Sequence, residues 1–273
     1  MKSYRIIALT ATACIGIGIV LCVFGYALGG RMHESFGIHY GKDGDFGVGY
    51  VDSEDQKPHA SELSKFKHLE MDIQIGDITI KRGDRLMLYT EQLDADDYEL
   101  IQDGDTLTIN SKSKHHISSF YFRIPEYHYI LTVPKDTKLE SLTLNSDMGD
   151  ITIDQIALDR CNIYQSLGDI VISDVNYSEM DIDQKMGDVE YEGLGQGNMQ
   201  IDNSMGDISV KLKDKEKFYT YELRTSMGSI ETDRETADGA SQSVESHPKD
   251  ARYRIKAECS MGDIELEFED DSD

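Results

Sequence analysis

Hydrophobic and polar residues alternate along the second half of the chain, and the alternation repeats around a Gly-Asp pair. The sequence reads SDMGDITI at residues 146–153, NSMGDISV at 203–210 and CSMGDIEL at 259–266. Apolar residues fall at every second position on both sides of the glycine, which is the period of a β-strand. Each unit is therefore predicted to form a strand, a tight corner and a second strand.

The corners recur with a nearly fixed period. Four of the glycines follow one another at intervals of 19 residues, and the other three are spaced more widely. These structural turn glycines are Gly76, Gly149, Gly168, Gly187, Gly206, Gly228 and Gly262. One unit of this length cannot bury its own apolar face, but stacked units can, with each strand paired to its equivalent in the next coil. We therefore predict an all-β fold, a parallel β-helix (β-solenoid) of short ~19-residue coils over residues 63–270.

Two further sets of equivalent positions precede the glycines. Immediately before them stand apolar residues, which we expect to point into the core as the alternation requires: Met148, Leu167, Met186, Met205, Met227 and Met261. Three positions before them the residues are mostly polar: Ser146, Gln165, Gln184, Asn203, Thr225 and Cys259. We expect the amides among these to hydrogen-bond along the stack, as Asn and Gln ladders do in cross-β structures.

An aspartate follows most of the glycines, and two roles are open for it. Glycine adopts the positive φ of a tight corner without steric penalty, and the aspartate can stabilise the turn by bonding nearby backbone. Alternatively, the carboxylates of Asp150, Asp169, Asp188 and Asp207 form a column, about 4.8 Å apart from coil to coil, that binds calcium. Neighbouring carboxylates repel by only about 1 kcal/mol in water, so the column does not require a cation. No other cofactor is expected.

The N-terminal part of the chain has a different composition. After a short cytoplasmic N-terminus (residues 1–5), Ile6–Gly30 contains no charged residue and is predicted to cross the bilayer as one transmembrane helix. Lys2 and Arg5 favour a cytoplasmic N-terminus, with the C-terminal domain extracellular. Residues 31–62 are rich in Gly and Asp without apolar periodicity, which predicts a flexible linker.

Three smaller expectations concern the stacked region. The polar segment 233–252 is predicted to be a mobile insertion loop between coils, and residues 271–273 an acidic tail that protects the open end of the stack. Cys161 and Cys259 belong to coils four steps apart in the chain, or about 19 Å at ~4.8 Å per step. That distance is too long for a disulfide, so we expect two buried free thiols.

Charge and motifs narrow the function. The formal net charge is −25, which argues against nucleic-acid binding and favours attraction of cations, either ions or basic peptides. The eight histidines are scattered, and HExxH, GxSxG and P-loop motifs are absent from the sequence. We therefore predict that the protein is not an enzyme.

The segment YILTVPKDTKLESLTLNSDMGDITI (residues 129–153), followed by the Gly-Asp repeats, carries a family resemblance. It resembles the bacterial "putative adhesin" family with a LiaG-like, or Toastrack, β-helix domain, over roughly residues 66–269. The resemblance implies a cell-envelope protein, mostly of Gram-positive bacteria, whose relatives accompany small membrane proteins and regulators of envelope stress. It implies no enzymatic activity and no particular site residues.

These observations predict a membrane-anchored, extracytoplasmic β-solenoid that acts by binding or as a scaffold. Its expected role is envelope-stress sensing with membrane-protein partners, and cationic peptides or wall polymers are further candidate partners. A surface adhesin or wall-associated structural protein is the first alternative. A β-helix enzyme acting on carbohydrate is the second.

Overall fold

The computed structural model describes residues 36–40, 46–50, 59–93, 96–112 and 127–269. The expected anchor at residues 6–30, the N-terminus at 1–5 and the tail at 271–273 lie outside these ranges. Within them, no helix has the length and apolarity needed to cross a bilayer. Inside the expected linker, β1 (Phe36–Tyr40) and β2 (Phe46–Tyr50) form an antiparallel pair. Another strand, β3 (His59–Glu62), also falls in it, so three segments of the expected linker form strands.

The remaining strands up to the first full repeat combine parallel and antiparallel pairs. They are β4 (His68–Ile75), β5 (Asp77–Gly83), β6 (Met87–Glu91), β7 (Tyr98–Asp103), β8 (Thr106–Ser111) and β9 (His128–Pro134). Of these, β4 pairs in parallel with β8, and β5 with β9. In contrast, β6 and β7 run antiparallel to β9 and β8, and β3 runs antiparallel to β6. Antiparallel strands thus cover this end of the stack.

The repeats form a parallel stack. Their strands are β10 (Lys138–Met148), β11 (Ile151–Asp154), β12 (Ala157–Leu167), β13 (Ile170–Ser173), β14 (Glu179–Gln184), β15 (Val189–Gly193), β16 (Asn198–Met205), β17 (Ile208–Leu212), β18 (Tyr219–Thr232), β19 (Thr236–Ser246), β20 (Tyr253–Met261) and β21 (Ile264–Phe268). A short 3-10 turn, Glu216–Phe218, precedes β18. The predicted register is confirmed, because Leu144 pairs with Ile163, and Ile182 with Ile201.

Burial follows the alternation along these strands. Equivalent Ile, Leu and Val side chains stack into one continuous core, and Ile151, Ile170 and Ile208 are at most 1% exposed. Intervening residues face outward, and in β11 and β13 buried and half-buried residues alternate. The parallel β-helix predicted from the 19-residue period is therefore the fold of the described repeats.

The order of the coils in space differs from their order in the chain. The last coil, β20 and β21, lies between the coil of β16 and β17 and the coil of β18. The same arrangement occurs at the other end, where β4 and β5 lie between β8 and β9 on one side and β10 and β11 on the other. In each case a terminal part of the repeat region is held between two other coils.

The polar segment 233–252 is predicted to be a loop, but it contains the strand β19. This strand pairs antiparallel with β18. Since β18 is the last parallel strand, its outer edge carries backbone groups that need partners, and β19 supplies them. The side chains of β19 are small and polar and mostly exposed, and Val244 is buried. At this end of the stack β21 is paired on both sides, and β19 covers the outer edge of β18.

Both cysteines are free and buried, as predicted. The out-of-order coil places them three coil steps apart instead of four, or about 14 Å at ~4.8 Å per step. Burial raises the pKa of the Cys161 thiol from 9.0 to about 12. Burial also raises the pKa of Cys259, so both thiols stay neutral near pH 8.

We predict that neither Cys161 nor Cys259 reacts with iodoacetamide at pH 8 while the protein is folded. Because the thiolate is the reactive form, neutral buried thiols should be alkylated only after denaturation, as measured by peptide mass spectrometry. Since the pKa of Cys161 is raised in the folded state, its contribution to stability is full below pH 9.0 and declines as the pH rises toward 12. Rapid labelling of Cys161 in native protein would contradict its placement in the core.

Candidate functional site

The Gly-Asp corners stack into one edge of the solenoid, which we call the Gly-Asp edge: residues 76–77, 149–150, 168–169, 187–188, 206–207, 262–263 and 228–229, in spatial order. All seven glycines have φ between +124° and +148°. A Cβ on Gly168 would lie 2.2 Å from the carbonyl oxygen of Gly149, and the corners of the later coils approach one another as closely. Glycine is thus required both by backbone conformation and by the approach of the neighbouring coil.

The aspartates of this edge bind backbone, which is the structural role considered for them. The Asp169 amide donates to Oδ1 of Asp150 at 2.9 Å. The same bond links each coil to the next: Asp150 to Asp77, Asp188 to Asp169, Asp207 to Asp188 and Asp263 to Asp207, at 2.8–2.9 Å. Each carboxylate therefore accepts the aspartate amide of the following coil through Oδ1. The sequence alone does not predict this hydrogen-bond partner.

The ladder also explains Ser229. Its amide donates to Oδ1 of Asp263 in the preceding coil at 2.6 Å, as the aspartate amides of the other coils do. Its own coil is the last of the parallel stack, and its neighbour on the other side is the antiparallel strand β19, where Asp238 stands opposite. No further corner amide follows, so this coil needs no carboxylate.

Most residues of the polar set three positions before the glycines bond the glycine carbonyls, whereas the buried hydroxyl of Ser146 has no hydrogen-bond partner among the described residues. Gln184 Nε2 donates to the carbonyl of Gly168 at 2.5 Å, and Asn203 Nδ2 to that of Gly187 at 2.9 Å. Gln165, Cys259 and Thr225 bond the glycine carbonyls of their neighbouring coils in the same way. The expected amide ladder is present only as one bond, from Gln184 to Gln165 at 3.3 Å. The glycine carbonyls are the main acceptors, since the corner directs them toward the next coil.

The apolar residue before each glycine does not point inward, so that prediction is wrong. Exposed fractions are 38% for Leu167, 45% for Met186, 40% for Met205, 38% for Met261 and 56% for Met227. At this position the chain enters the glycine corner, which turns the backbone before the side chain can reach the core. The last inward position is already occupied by the polar residue two places earlier. An exposed row of mostly methionines therefore runs beside the aspartates.

The structure brings the proposed calcium ligands Asp150, Asp169, Asp188 and Asp207 into one exposed column. Oδ1 of each of these aspartates accepts a backbone amide. Calcium takes six to eight oxygen ligands at ~2.3–2.6 Å, and two neighbouring coils offer fewer carboxylate oxygens than that. Within the described ranges, no three His, Cys, Asp or Glu side chains are grouped as metal ligands. Calcium binding stays a prediction, and the ladder accounts for the aspartates without it.

Charged groups also line the outer face beside this edge. The pKa of Asp181 is raised by partial burial and by the nearby carboxylates of Asp202, Asp183 and Glu179, against the lowering effect of Lys256. A surface groove of ≈450 Å³ next to them is lined by Asp183, Asp202, Arg224, Glu258 and several serines. This groove is polar and open, so it offers hydrogen bonds and charge but no dry cavity.

A stack of Gly-Asp corners with inter-coil ladders defines a class of β-solenoid. Residues 66–204 match the family model of the Toastrack DUF4097 domain, which spans half of the chain, and the protein belongs to this family. The predicted resemblance is thereby confirmed.

Several solved bacterial structures are similar to this chain over most of their length. A "putative cell adhesion protein" from Clostridium sporogenes is 12% identical, with a TM-score of 0.49, over 78% of this chain and 99% of the other. A "putative adhesin" from Bacteroides fragilis is 13% identical, with a TM-score of 0.45, over 78% and 97%. A "putative lipid binding protein" from Parabacteroides distasonis is 11% identical, with a TM-score of 0.24, over 78% and 98%. A search of curated proteins finds no match.

Replacing Gly168 with alanine should destabilise the protein by more than about 3 kcal/mol, because backbone strain adds to the clash with Gly149. Gly104→Ala is the matched control, since Gly104 also has positive φ (+57°) but nothing lies within 4 Å of the place that a Cβ would take there. The control should cost about 1 kcal/mol. Urea unfolding measures both, and equal losses would contradict the close approach of the coils.

Asp188→Ala should cost about 1 kcal/mol, because the Asp207 amide loses its acceptor and water replaces it only in part. Asp188→Asn keeps a side-chain oxygen at the same place and should change stability by less than about 0.5 kcal/mol. Thermal and urea unfolding of the two variants separate the hydrogen bond from the charge. If the asparagine variant is as unstable as the alanine variant, charge rather than hydrogen bonding holds the ladder.

Proposed function

We propose that this Toastrack protein is a non-enzymatic binding or scaffold module of the cell envelope. In this proposal Ile6–Gly30 anchors it in the membrane, and the solenoid stands outside the cytoplasm, where it takes part in envelope-stress sensing with membrane-protein partners. The observation that carries the proposal is how the corner polar groups are used. These groups bond to neighbouring coils, so the repeated Gly-Asp motif holds the solenoid together and does not form a ligand site. Partners would then bind on the outer faces.

Titratable groups in the core support the non-enzymatic part. Burial raises the pKa values of Tyr177 and Tyr191, and Tyr191 accepts a hydrogen bond from the amide of Gly195 at 3.1 Å. With Cys161 also neutral, these groups are packed and protonated at neutral pH. A catalytic group needs a pKa near the working pH and access to a substrate, and these side chains have neither.

The charge distribution supports a basic or cationic partner. Many cations of the described surface are already paired with acids: Lys213 lies 3.0 Å from Asp174 and 2.9 Å from Glu192. Arg224 contacts Glu222, Glu245 and Glu258. With these cations neutralised and a chain charge of −25, the rod presents a negative field that attracts cations.

In-cell photo-crosslinking of the full chain tests this proposal. A photoreactive residue at Tyr164, which is 48% exposed on the outer face, is expected to capture membrane proteins. A photoreactive residue at Lys211 in β17, on the other row of strands, is the control that shows whether capture is specific to the face of Tyr164. Recovery of wall polymer alone from both positions would favour the adhesin or wall-associated role, and turnover of envelope polysaccharide by the purified chain would overturn the non-enzymatic assignment.

A further inference from the structure

The exposed row beside the aspartates is rich in thioethers. Its methionines, which we call the methionine column, are Met148, Met186, Met205, Met261 and Met227 in spatial order. Four of them are 38–56% exposed. The column therefore places sulfur atoms within reach of solvent along one edge of the rod.

Strand register places the last four methionines on consecutive coils. Met205 pairs with Met261, and Met261 with Met227. The amide of Gly187 bonds the carbonyl of Met205 at 2.9 Å, which puts the coil of Met186 next in line. Parallel neighbours lie about 4.8 Å apart, so each of these methionines has another one or two within side-chain reach.

Core packing does not account for this choice of residue. The buried positions of the same coils are filled mainly by Ile, Leu and Val, as at Ile182, Ile201 and Ile230. The column is instead half exposed, and burying part of an apolar side chain there stabilises the protein little. Most coils nevertheless have methionine at this position. What distinguishes methionine from leucine here is its flexible, polarisable sulfur.

We propose that the methionine column binds a soft monovalent cation, Cu(I) or its analogue Ag(I), between thioethers of adjacent coils. Thioether ligands select Cu(I) over hard cations. The inter-coil spacing of ~4.8 Å is about twice a metal–sulfur bond of ~2.3 Å, so one ion can contact two sulfurs, and three with side-chain rotation. The neighbouring carboxylates of Asp188, Asp207 and Asp263 are hard ligands that raise the local cation concentration without competing for the metal. This inference does not rest on the proposed envelope role.

Silver titration followed by methionine methyl NMR tests the proposal, because Ag(I) does not change oxidation state. The full chain is used in detergent and chloride-free buffer, with all four thiols removed as C14S, C22S, C161V and C259T. Threonine suits position 259 because Thr225 makes the same bond in the next coil. Methyl signals of Met186, Met205, Met227 and Met261 should shift, while those of buried Met71, Met180 and Met199 should not. Shifts of neither set, or of both sets equally, would overturn the proposal.

The matched variant replaces Met186, Met205, Met227 and Met261 with leucine. Leu167 already occupies this column, so the change keeps apolar shape and removes only sulfur. Affinity for Ag(I), and for Cu(I) in competition with a chelator, should fall by more than ~10-fold, while the urea midpoint stays the same. Unchanged affinity would refute thioether binding.

A single M205L variant covers the case in which the fourfold variant does not fold. It divides the run of four into one isolated methionine and one pair, so part of the affinity should remain. The Met186 methyl should then lose its silver-induced shift, while Met261 and Met227 keep theirs. Retention of the Met186 shift would show that adjacent thioethers do not share the ion.

Discussion

The stack depends on satisfying the backbone of its tight corner. The amides of six of the seven corner glycines donate to the carbonyl of the residue before the glycine of the next coil, as Gly168 does to Met186 at 3.1 Å. Five of the seven glycine carbonyls accept a side chain from the following coil. From Asp150 onward, each aspartate amide donates to the carboxylate of the preceding coil. A corner that exposed these groups unpaired would lose the free energy of several hydrogen bonds per coil. The motif Met-Gly-Asp-Ile is therefore repeated because every coil meets the same requirement.

The ends of the stack show how the same fold avoids open edges. At each end, one coil is placed out of chain order, and antiparallel strands cover the last parallel one. An uncovered parallel edge would offer unpaired amides and carbonyls to other chains. The placement of β20 and β21 between two other coils also ties the C-terminal part of the repeats into the interior of the stack.

Sequence patterns predicted the coil, its period and its glycine corners, because stacking needs identical residues at identical positions. They did not predict the coil order, since any coil can pair with any other when their apolar columns match. The strand β19 was missed because its small polar residues resemble a loop, and only the partnerless edge of β18 makes them a strand. Met186 and its equivalents kept the alternating phase but face solvent, because the corner turns the backbone at this position.

The candidate ligands along the Gly-Asp edge are therefore the methionines and not the aspartates. Its aspartates accept backbone amides from the neighbouring coils, whereas its methionines are exposed to solvent. The most direct test is amide hydrogen exchange by NMR in the native protein and in Asp188→Ala. We expect the corner amides of Asp169, Asp188, Asp207 and Asp263 to be protected, and the variant to lose protection selectively at Asp207. Fast exchange of these amides in the native protein, or uniform loss in the variant, would contradict the ladder.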